Sequence, residues 1–147
     1  MHGAAEMLDE FGVTDEDQIS AAHRTPTRLD EYAKHAEKSG FKVIIAGAGG
    51  AAHLPGMIAS HTIIPVIGVP IMVYNDKQQK KSESHKFSAF GGLDSLLSIS
   101  EMPSGSPVVT VGVNKALNAG IYALKILDNE SDKVRKMLKS HKDKQHK

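Results

Sequence analysis

The sequence predicts an α/β fold in which helices cover both faces of a parallel β-sheet. Two short apolar runs, residues 42–46 (K-V-I-I-A) and 64–69 (I-P-V-I-G-V), are typical of buried strands because they show no polar alternation. A third run at residues 107–113 (P-V-V-T-V-G-V) predicts the last core strand. Helical patterns separate these runs, and such alternation indicates a parallel sheet.

Six segments place apolar residues at the spacing of an amphipathic helix: residues 4–11, 26–39, 55–61, 93–100, 116–127 and 131–142. Glycines at positions 12 and 40 end the first two helices, since glycine readily adopts the left-handed conformation that follows a helix. Thr25 and Pro26 suit the cap and the first residue of the second helix. On the fifth helix we expect Tyr122 to be buried.

Two segments break this pattern. Residues 15–22 (D-E-D-Q-I-S-A-A) predict only a poor edge strand, because Ile19 is their single strong strand former. Residues 74–90 are polar, basic and without periodicity, which indicates a long surface loop. We therefore expect one domain at residues 1–130 with an inserted loop at 74–90, followed by an amphipathic helix and basic tail at 131–147.

Composition excludes several classes of protein. The chain has 147 residues, of which 40% are hydrophobic and 24% charged, as in a soluble globular domain. No apolar run approaches the roughly 20 residues of a membrane helix, and no signal-peptide pattern is present. The absence of cysteine excludes disulfides, thiolate catalysis and sulfur-bound metal, and it favours a cytoplasmic or organellar interior. The histidines lack the spacing of metal ligands, so we expect no metal site.

A loop of small residues follows the first predicted core strand, in the segment A-G-A-G-G-A-A-H-L-P-G. Gly47, Gly49 and Gly50 are able to adopt positive φ and to offer bare N–H groups to an anion or a planar ring. Pro55 suits the start of a helix whose dipole would point at this loop. The loop lacks the spacing of a P-loop or a dinucleotide fingerprint, and a simple tight turn is the alternative interpretation.

Polar side chains follow two strand ends that parallel topology brings to one crevice. His23 and Arg24 come after the first strand, and His53 follows the glycine loop. An imidazole transfers protons near neutral pH, and a guanidinium binds phosphate through a planar fork. Without a ligand in that crevice, His23 would be a helix-end residue, Arg24 part of a surface ion pair and His53 a helix cap.

Lysines recur throughout the C-terminal segment, at positions 133, 136, 139, 142, 144 and 147. Such a row is able to follow nucleic-acid phosphates. Since no aromatic residue is interleaved with these lysines, we expect a solvated helix face and no nucleic-acid partner.

Four segments resemble the class I phosphoribosylaminoimidazole carboxylase family, whose bacterial members are 5-(carboxyamino)imidazole ribonucleotide mutases of purine biosynthesis. They are A-A-H-R-T-P from residue 21, I-I-A-G-A-G-G-A-A-H-L-P-G-M from residue 44, P-V-I-G-V-P from residue 65 and L-D-S-L-L-S-I-x-x-M-P from residue 93. The resemblance covers most of residues 4–127. The glycine-loop segment is the most specific of the four.

The resemblance implies a flavodoxin-like three-layer sandwich that assembles into a cytoplasmic octamer. It implies that a ribonucleotide and carbon dioxide bind, that no metal or organic cofactor is used, and that no membrane is involved. His23 would shuttle a proton and His53 would shape the wall beside it. Arg24 would hold the nucleotide phosphate. The remaining substrate-binding positions would be Ala21, Ala22, Ala48, Gly49, Gly50, Ala52 and Leu54.

The chain departs from the family pattern at two places. Family members begin with a strand and a Gly-Ser-x-Ser-Asp loop that hold phosphate and ribose, and we expect this first strand to be missing. Ala21 stands where the family has serine, which removes a further phosphate hydroxyl. The alternative function is therefore a catalytically impaired fragment or a non-catalytic octamer subunit of the same family.

Overall fold

A computed structural model describes residues 1–73, 89–128 and 131–145. The described chain forms two compact units, one from Met1–Gln18 with Ala116–Lys147 and one from Ile19–Lys115. The helices are α1 (His2–Glu10), α2 (Pro26–Lys38), α3 (Leu54–Ala59), α4 (Leu93–Ser100), α5 (Ala116–Leu127) and α6 (Asp132–Gln145). The strands are β1 (Ile44–Gly49), β2 (Val66–Ile71) and β3 (Val109–Thr110), and a 3₁₀ turn spans Ala89–Gly91.

The three strands lie in one parallel sheet in the order β1, β2, β3. Ile44 pairs with Val66 and Gly49 with Ile71, so β1 and β2 run alongside each other for their whole length. The pairing of β2 with β3 is short, from Ile67 with Val109 to Gly68 with Thr110. The predicted parallel α/β architecture is confirmed.

Helices α2, α3 and α4 pack against this sheet. The apolar sides of α2 and α3 meet β1 and β2 in a core made of Ala22, Leu29, Ala33, Ala36, Ile44, Ala46, Ile58, Ile64 and Val66. Burying a large aliphatic side chain such as Leu29 contributes roughly 1.5–3 kcal/mol. α4 lies so close to β2 that a Cβ on Gly68 would collide with the side chain of Ile99. Glycine in the middle of β2 therefore sets the depth at which α4 packs.

The other unit joins α1, α5 and α6. Its core contains Met7, Phe11, Leu124 and Val134. α1 approaches α5 closely at Gly120, where an added Cβ would lie 3.0 Å from the carbonyl oxygen of Ala4. Val134 is buried on α6 and Met137 and Leu138 pack beside it, as the sequence pattern predicts.

The helix predictions agree with the structure apart from shifts at the ends. Gly12 and Gly40 have φ values of 65° and 82°, which confirms that left-handed glycines follow α1 and α2. Pro26 begins α2 and Pro55 lies in the first turn of α3, as predicted. None of the helices in the described ranges is long and apolar enough to cross a membrane.

Three predictions about secondary structure and burial are wrong. Residues 15–22 form no strand; they are acidic and poor in strand formers, and the side chain of Ile19 is 94% exposed. Gly47 and Gly49 lie within β1 with ordinary strand geometry, so Gly50 alone of the three loop glycines has a positive φ. Tyr122 is 40% exposed, because Ala119, Ala123 and Leu124 form the buried side of α5.

Two predictions remain untested. The predicted insertion at residues 74–90 lies almost entirely outside the described residues, which resume at Ala89. The domain boundary at residue 130 also remains a prediction.

Candidate active site

The glycine segment continues β1 into a tight turn. Gly49 is the last strand residue, and a Cβ there would collide with the side chain of Val73 and lie 2.9 Å from the carbonyl oxygen of Ile71. Gly50 has a φ of 65°, a conformation that strains residues with a Cβ. The two glycines are thus required for different reasons, close packing at position 49 and chain reversal at position 50.

A second turn presents His23 and Arg24. The backbone N–H groups of Arg24 and Thr25 donate to the carbonyl oxygen of Ala21, over 3.0 and 2.8 Å. Thr25 occupies the cap position of α2, but its hydroxyl also donates to Ala21, over 3.1 Å, and caps no helix N–H group. Ala22 is buried in the core below, so the turn is anchored from inside while His23 and Arg24 are exposed.

The two turns bring the imidazoles of His23 and His53 together. Nε2 of His23 lies 2.8 Å from Nδ1 of His53, and the ring centroids are 5.0 Å apart at an interplanar angle of 77°. At this separation one nitrogen carries the hydrogen and the other accepts it. Both rings are exposed, and His53 lies at the N-cap position of α3 without capping it through its side chain. The outer nitrogens, Nδ1 of His23 and Nε2 of His53, are not part of this contact.

The amides around Gly50 differ from the bare N–H groups that the sequence predicts. The N–H of Gly50 donates to Oγ of Ser95 over 2.8 Å, and the N–H of His53 donates to the carbonyl oxygen of Ala51 over 2.8 Å. Reasoning from sequence missed Ser95, which is fully buried on α4. A serine placed among leucines in L-D-S-L-L-S was the available signal, because a buried hydroxyl needs a partner.

The other predicted substrate-binding residues lie in the same two segments. Ala48 and Gly49 are partly buried in β1, Ala52 is fully buried, and Leu54 begins α3 and packs against the core. Ala21 is partly buried at the start of its turn. Arg24 is exposed, and no ion pair joins it to any other described residue. The described residues also include no group of three metal-ligating side chains.

Comparison with known proteins adds a family assignment to this geometry. The family model for AIR carboxylase matches residues 1–147. A protein named N5-carboxyaminoimidazole ribonucleotide mutase from Thermotoga maritima is 52% identical over 143 residues, which are 97% of this chain and 75% of that protein. A chloroplastic phosphoribosylaminoimidazole carboxylase from Vigna aconitifolia is 47% identical over 99% of this chain and 24% of its own length.

A solved structure gives independent support for the fold. The crystal structure of Treponema denticola PurE superposes with a TM-score of 0.76, covering 99% of this chain and 82% of that one at 22% identity. The similarity extends over nearly the whole chain, and the flavodoxin-like α/β fold predicted from the resemblance is confirmed.

Proposed function

We propose, since the chain belongs to the AIR carboxylase family, that it forms 4-carboxy-5-aminoimidazole ribonucleotide in purine biosynthesis. The observation that carries the proposal is the 2.8 Å contact between His23 and His53 at the glycine turn. Two adjoining imidazoles beside a wall of small residues suit a reaction that moves a proton at a planar ring. Family membership indicates which planar ring this is, the imidazole of an aminoimidazole ribonucleotide.

In the proposed chemistry the imidazole C4 of the nucleotide attacks the carbon of carbon dioxide. A C–C bond forms, one C–O π bond becomes a carboxylate, and C4 then loses its proton to a base. In the mutase version carbon dioxide first leaves the exocyclic nitrogen as the C–N bond breaks, and that nitrogen takes up a proton. In the mutase version the exocyclic nitrogen gains one proton and C4 loses one. A single proton shuttle is therefore able to serve both steps.

His23 is the proposed shuttle and His53 its relay partner. If Nδ1 of His23 takes the ring proton, Nε2–H of His23 is able to pass a proton to Nδ1 of His53 across the 2.8 Å contact. The exposed Nε2 of His53 then exchanges with solvent. The proton at C4 is thereby removed without any metal or organic cofactor.

The small residues beside the histidines form the proposed wall of the site. Ala48, Gly49 and Gly50, which are partly exposed, would let the imidazole ring and carbon dioxide approach the main chain, since none has a side chain beyond Cβ. Ala52 is fully buried and would support this wall from behind. Ala21 and Leu54 would border the nucleotide, and Ala22, buried in the core, would hold the turn of Ala21 from within. Arg24 would bind the phosphate, because its guanidinium is exposed one residue from the shuttle.

Replacing His23 by asparagine tests the proposal. We expect turnover to fall by about 10²–10⁴-fold, the usual contribution of a general acid–base group, while nucleotide binding changes little. The measurements are product formation followed by absorbance and nucleotide affinity by calorimetry. His35→Asn is the matched control, because His35 is exposed on α2. A His23→Asn protein with the parental rate would remove this residue from the mechanism.

The same assay distinguishes the two reactions named among the relatives. A direct carboxylase makes product from the aminoimidazole ribonucleotide and bicarbonate alone, whereas a mutase requires the N-carboxylated nucleotide. Supplying each substrate separately therefore identifies the carboxyl donor.

A non-catalytic family subunit is the second candidate. Two points favour it: Ala21 has no hydroxyl where the family resemblance implies a serine, and residues 15–22 form no strand ahead of the His23 turn. This candidate predicts self-association without product from either substrate. The proposal of activity predicts product from at least one.

Self-association and a cytoplasmic location complete the proposal. Apolar side chains that remain exposed in the unit from Ile19–Lys115 include Ile63 at 90%, Leu93 at 42% and Leu97 at 46%. Exposed apolar side chains of this kind support a homo-oligomer, and the family resemblance implies an octamer. Cell fractionation with an antibody against the chain tests the location.

A further inference from the structure

Ser95 is a buried side chain to which neither the family match nor the sequence motifs assign a role. It lies on α4 with no solvent exposure. Its Oγ accepts a hydrogen bond from the N–H of Gly50 over 2.8 Å and donates one to the carbonyl oxygen of Ile71 over 3.0 Å. Both hydrogen-bonding functions of the hydroxyl are therefore used by main-chain groups.

The two partners of Ser95 lie where neighbouring strands end. Gly50 follows β1 directly and Ile71 is the last residue of β2. The strand register already pairs Gly49 with Ile71, so the hydroxyl extends the β1–β2 connection by one residue beyond the sheet. Ser95 thus fixes the point at which the glycine turn leaves the sheet.

Ser98 reinforces this contact from the next turn of α4. Its Oγ donates to the carbonyl oxygen of Asp94 over 2.8 Å and lies 3.5 Å from the carbonyl oxygen of Gly50. Residues three apart share one side of a helix, so both serines face the turn. Since Gly50 has no side chain, its hydrogen bonds to α4 are made by its main-chain groups alone.

We propose that Ser95 is a positioning residue for the active site, and this inference rests on the proposed function. Its hydroxyl holds the amide of Gly50, and Gly50 begins the turn that delivers His53 to His23. Ser95 touches neither histidine and acts through the main chain. Removing the hydroxyl frees the turn and misplaces both the wall and the ring of His53.

The test compares Ser95→Ala with the control Ser100→Ala. Ser100 is on the same helix and is exposed, and among the described residues its hydroxyl contacts only the carbonyl oxygen of Leu97. At a temperature where thermal unfolding shows both variants fully folded, we expect kcat/KM of Ser95→Ala to fall about tenfold to a hundredfold, the loss that a misplacement near 1 Å causes. The control is expected to stay within about twofold of the parent, the scatter ordinary for an exposed substitution.

Two further measurements separate positioning from stability alone. Ser95→Cys, which keeps a weak donor and acceptor of similar shape, is expected to recover part of the rate. The pH profile of the folded Ser95→Ala enzyme is expected to keep the parental shape, because both imidazoles remain. Parental kcat and KM in folded Ser95→Ala would overturn the proposal and leave Ser95 a structural residue.

Amide hydrogen exchange tests the contact of Ser95 with Gly50 without relying on catalytic activity. The amide of Gly50 is expected to exchange with solvent at least tenfold faster in Ser95→Ala than in the parent, since it loses its acceptor. Unchanged exchange would overturn the positioning role even if activity fell. If the parent itself makes no product while Gly50 exchange responds to Ser95→Ala, the proposed function fails and the hydroxyl contact stands.

Discussion

Two imidazoles that are 30 positions apart in sequence lie 2.8 Å apart at the candidate site. Neither position is unusual locally, since His23 lies in a turn and His53 precedes a short helix. Their contact arises because the His53 turn follows the carboxyl end of β1, and the His23 turn, which no described strand precedes, is anchored in the same core through Ala22. At the scale of single residues, the proposed chemistry depends on this pair and on Arg24 beside it.

Replacing Arg24 by alanine tests the phosphate role. We expect KM for the ribonucleotide to rise by roughly tenfold to a hundredfold with a smaller change in kcat, because a charge-assisted hydrogen bond contributes about 1.5–3 kcal/mol. Steady-state kinetics with varied nucleotide provide the measurement. Lys38→Ala removes a cation at the end of α2 as the matched control. A fall in kcat of that size with an unchanged KM would instead indicate that Arg24 acts in the transition state alone.

Helix α2 holds the chain that leads from α3 to β2. The carboxylate of Glu37 accepts hydrogen bonds from the N–H of Ile63 over 2.9 Å and from the hydroxyl of Thr62 over 2.8 Å. These two contacts lower the pKa of Glu37, the backbone donor having the larger effect. Asp30, bound by Lys34 over 2.8 Å, has a lowered pKa chiefly through that hydrogen bond. The helix thus anchors a loop through the carboxylate of Glu37, whose ionised form these contacts favour.

This anchoring predicts a pH-dependent stability. A carboxyl whose pKa is lower in the folded state stabilises the fold above its ordinary pKa, which for Glu37 is 4.5, and loses that contribution as the pH falls through the lowered value. The parent is therefore expected to unfold at a higher temperature than Glu37→Gln near neutral pH. The difference is expected to shrink from about pH 5 to about pH 3.

Calorimetric melting across that pH range checks the expectation. Glu31→Gln, on an exposed position of the same helix, is the matched control and is expected to follow the parent. If the difference in melting temperature between the parent and Glu37→Gln stayed constant with pH, the charge of Glu37 would not contribute to stability.

At the scale of the whole molecule, the exposed apolar residues matter most. Leu93 and Leu97 are one helical turn apart on α4, and their opposite side, Ser95 and Ile99, is buried. A leucine pair left exposed beside a buried serine is the reverse of the usual pattern for a helix on a sheet. This pair is part of the surface that the proposed homo-oligomer is expected to bury.

Replacing Leu93 and Leu97 by serine is expected to shift the chain toward smaller species, because each leucine loses the apolar surface that a partner would bury. Sedimentation velocity at several concentrations measures the change. Glu101→Gln, an exposed substitution at the end of α4, serves as the control. A parent that sediments as a monomer at every concentration would contradict the self-association itself.

The sequence by itself determined the parallel α/β fold, the helix boundaries at Gly12 and Gly40, and the segments that contain the site. Local rules sufficed for these features, because apolar periodicity, glycine and proline act on their immediate neighbours. The same rules failed for residues 15–22, where residues 15–19 are exposed and none of the described strands pairs with the segment.

Only the tertiary structure decided how the site is held together. Two of its contacts join residues far apart in sequence: His23 with His53, and the Gly50 amide with Ser95. The exposure of Leu97 likewise depends on how α4 packs in the fold. Such contacts depend on where strands end and how deeply a helix packs, and Gly68 sets that depth for α4. No local pattern encodes a distance between two turns, so the fold had to be known before the geometry of the site was.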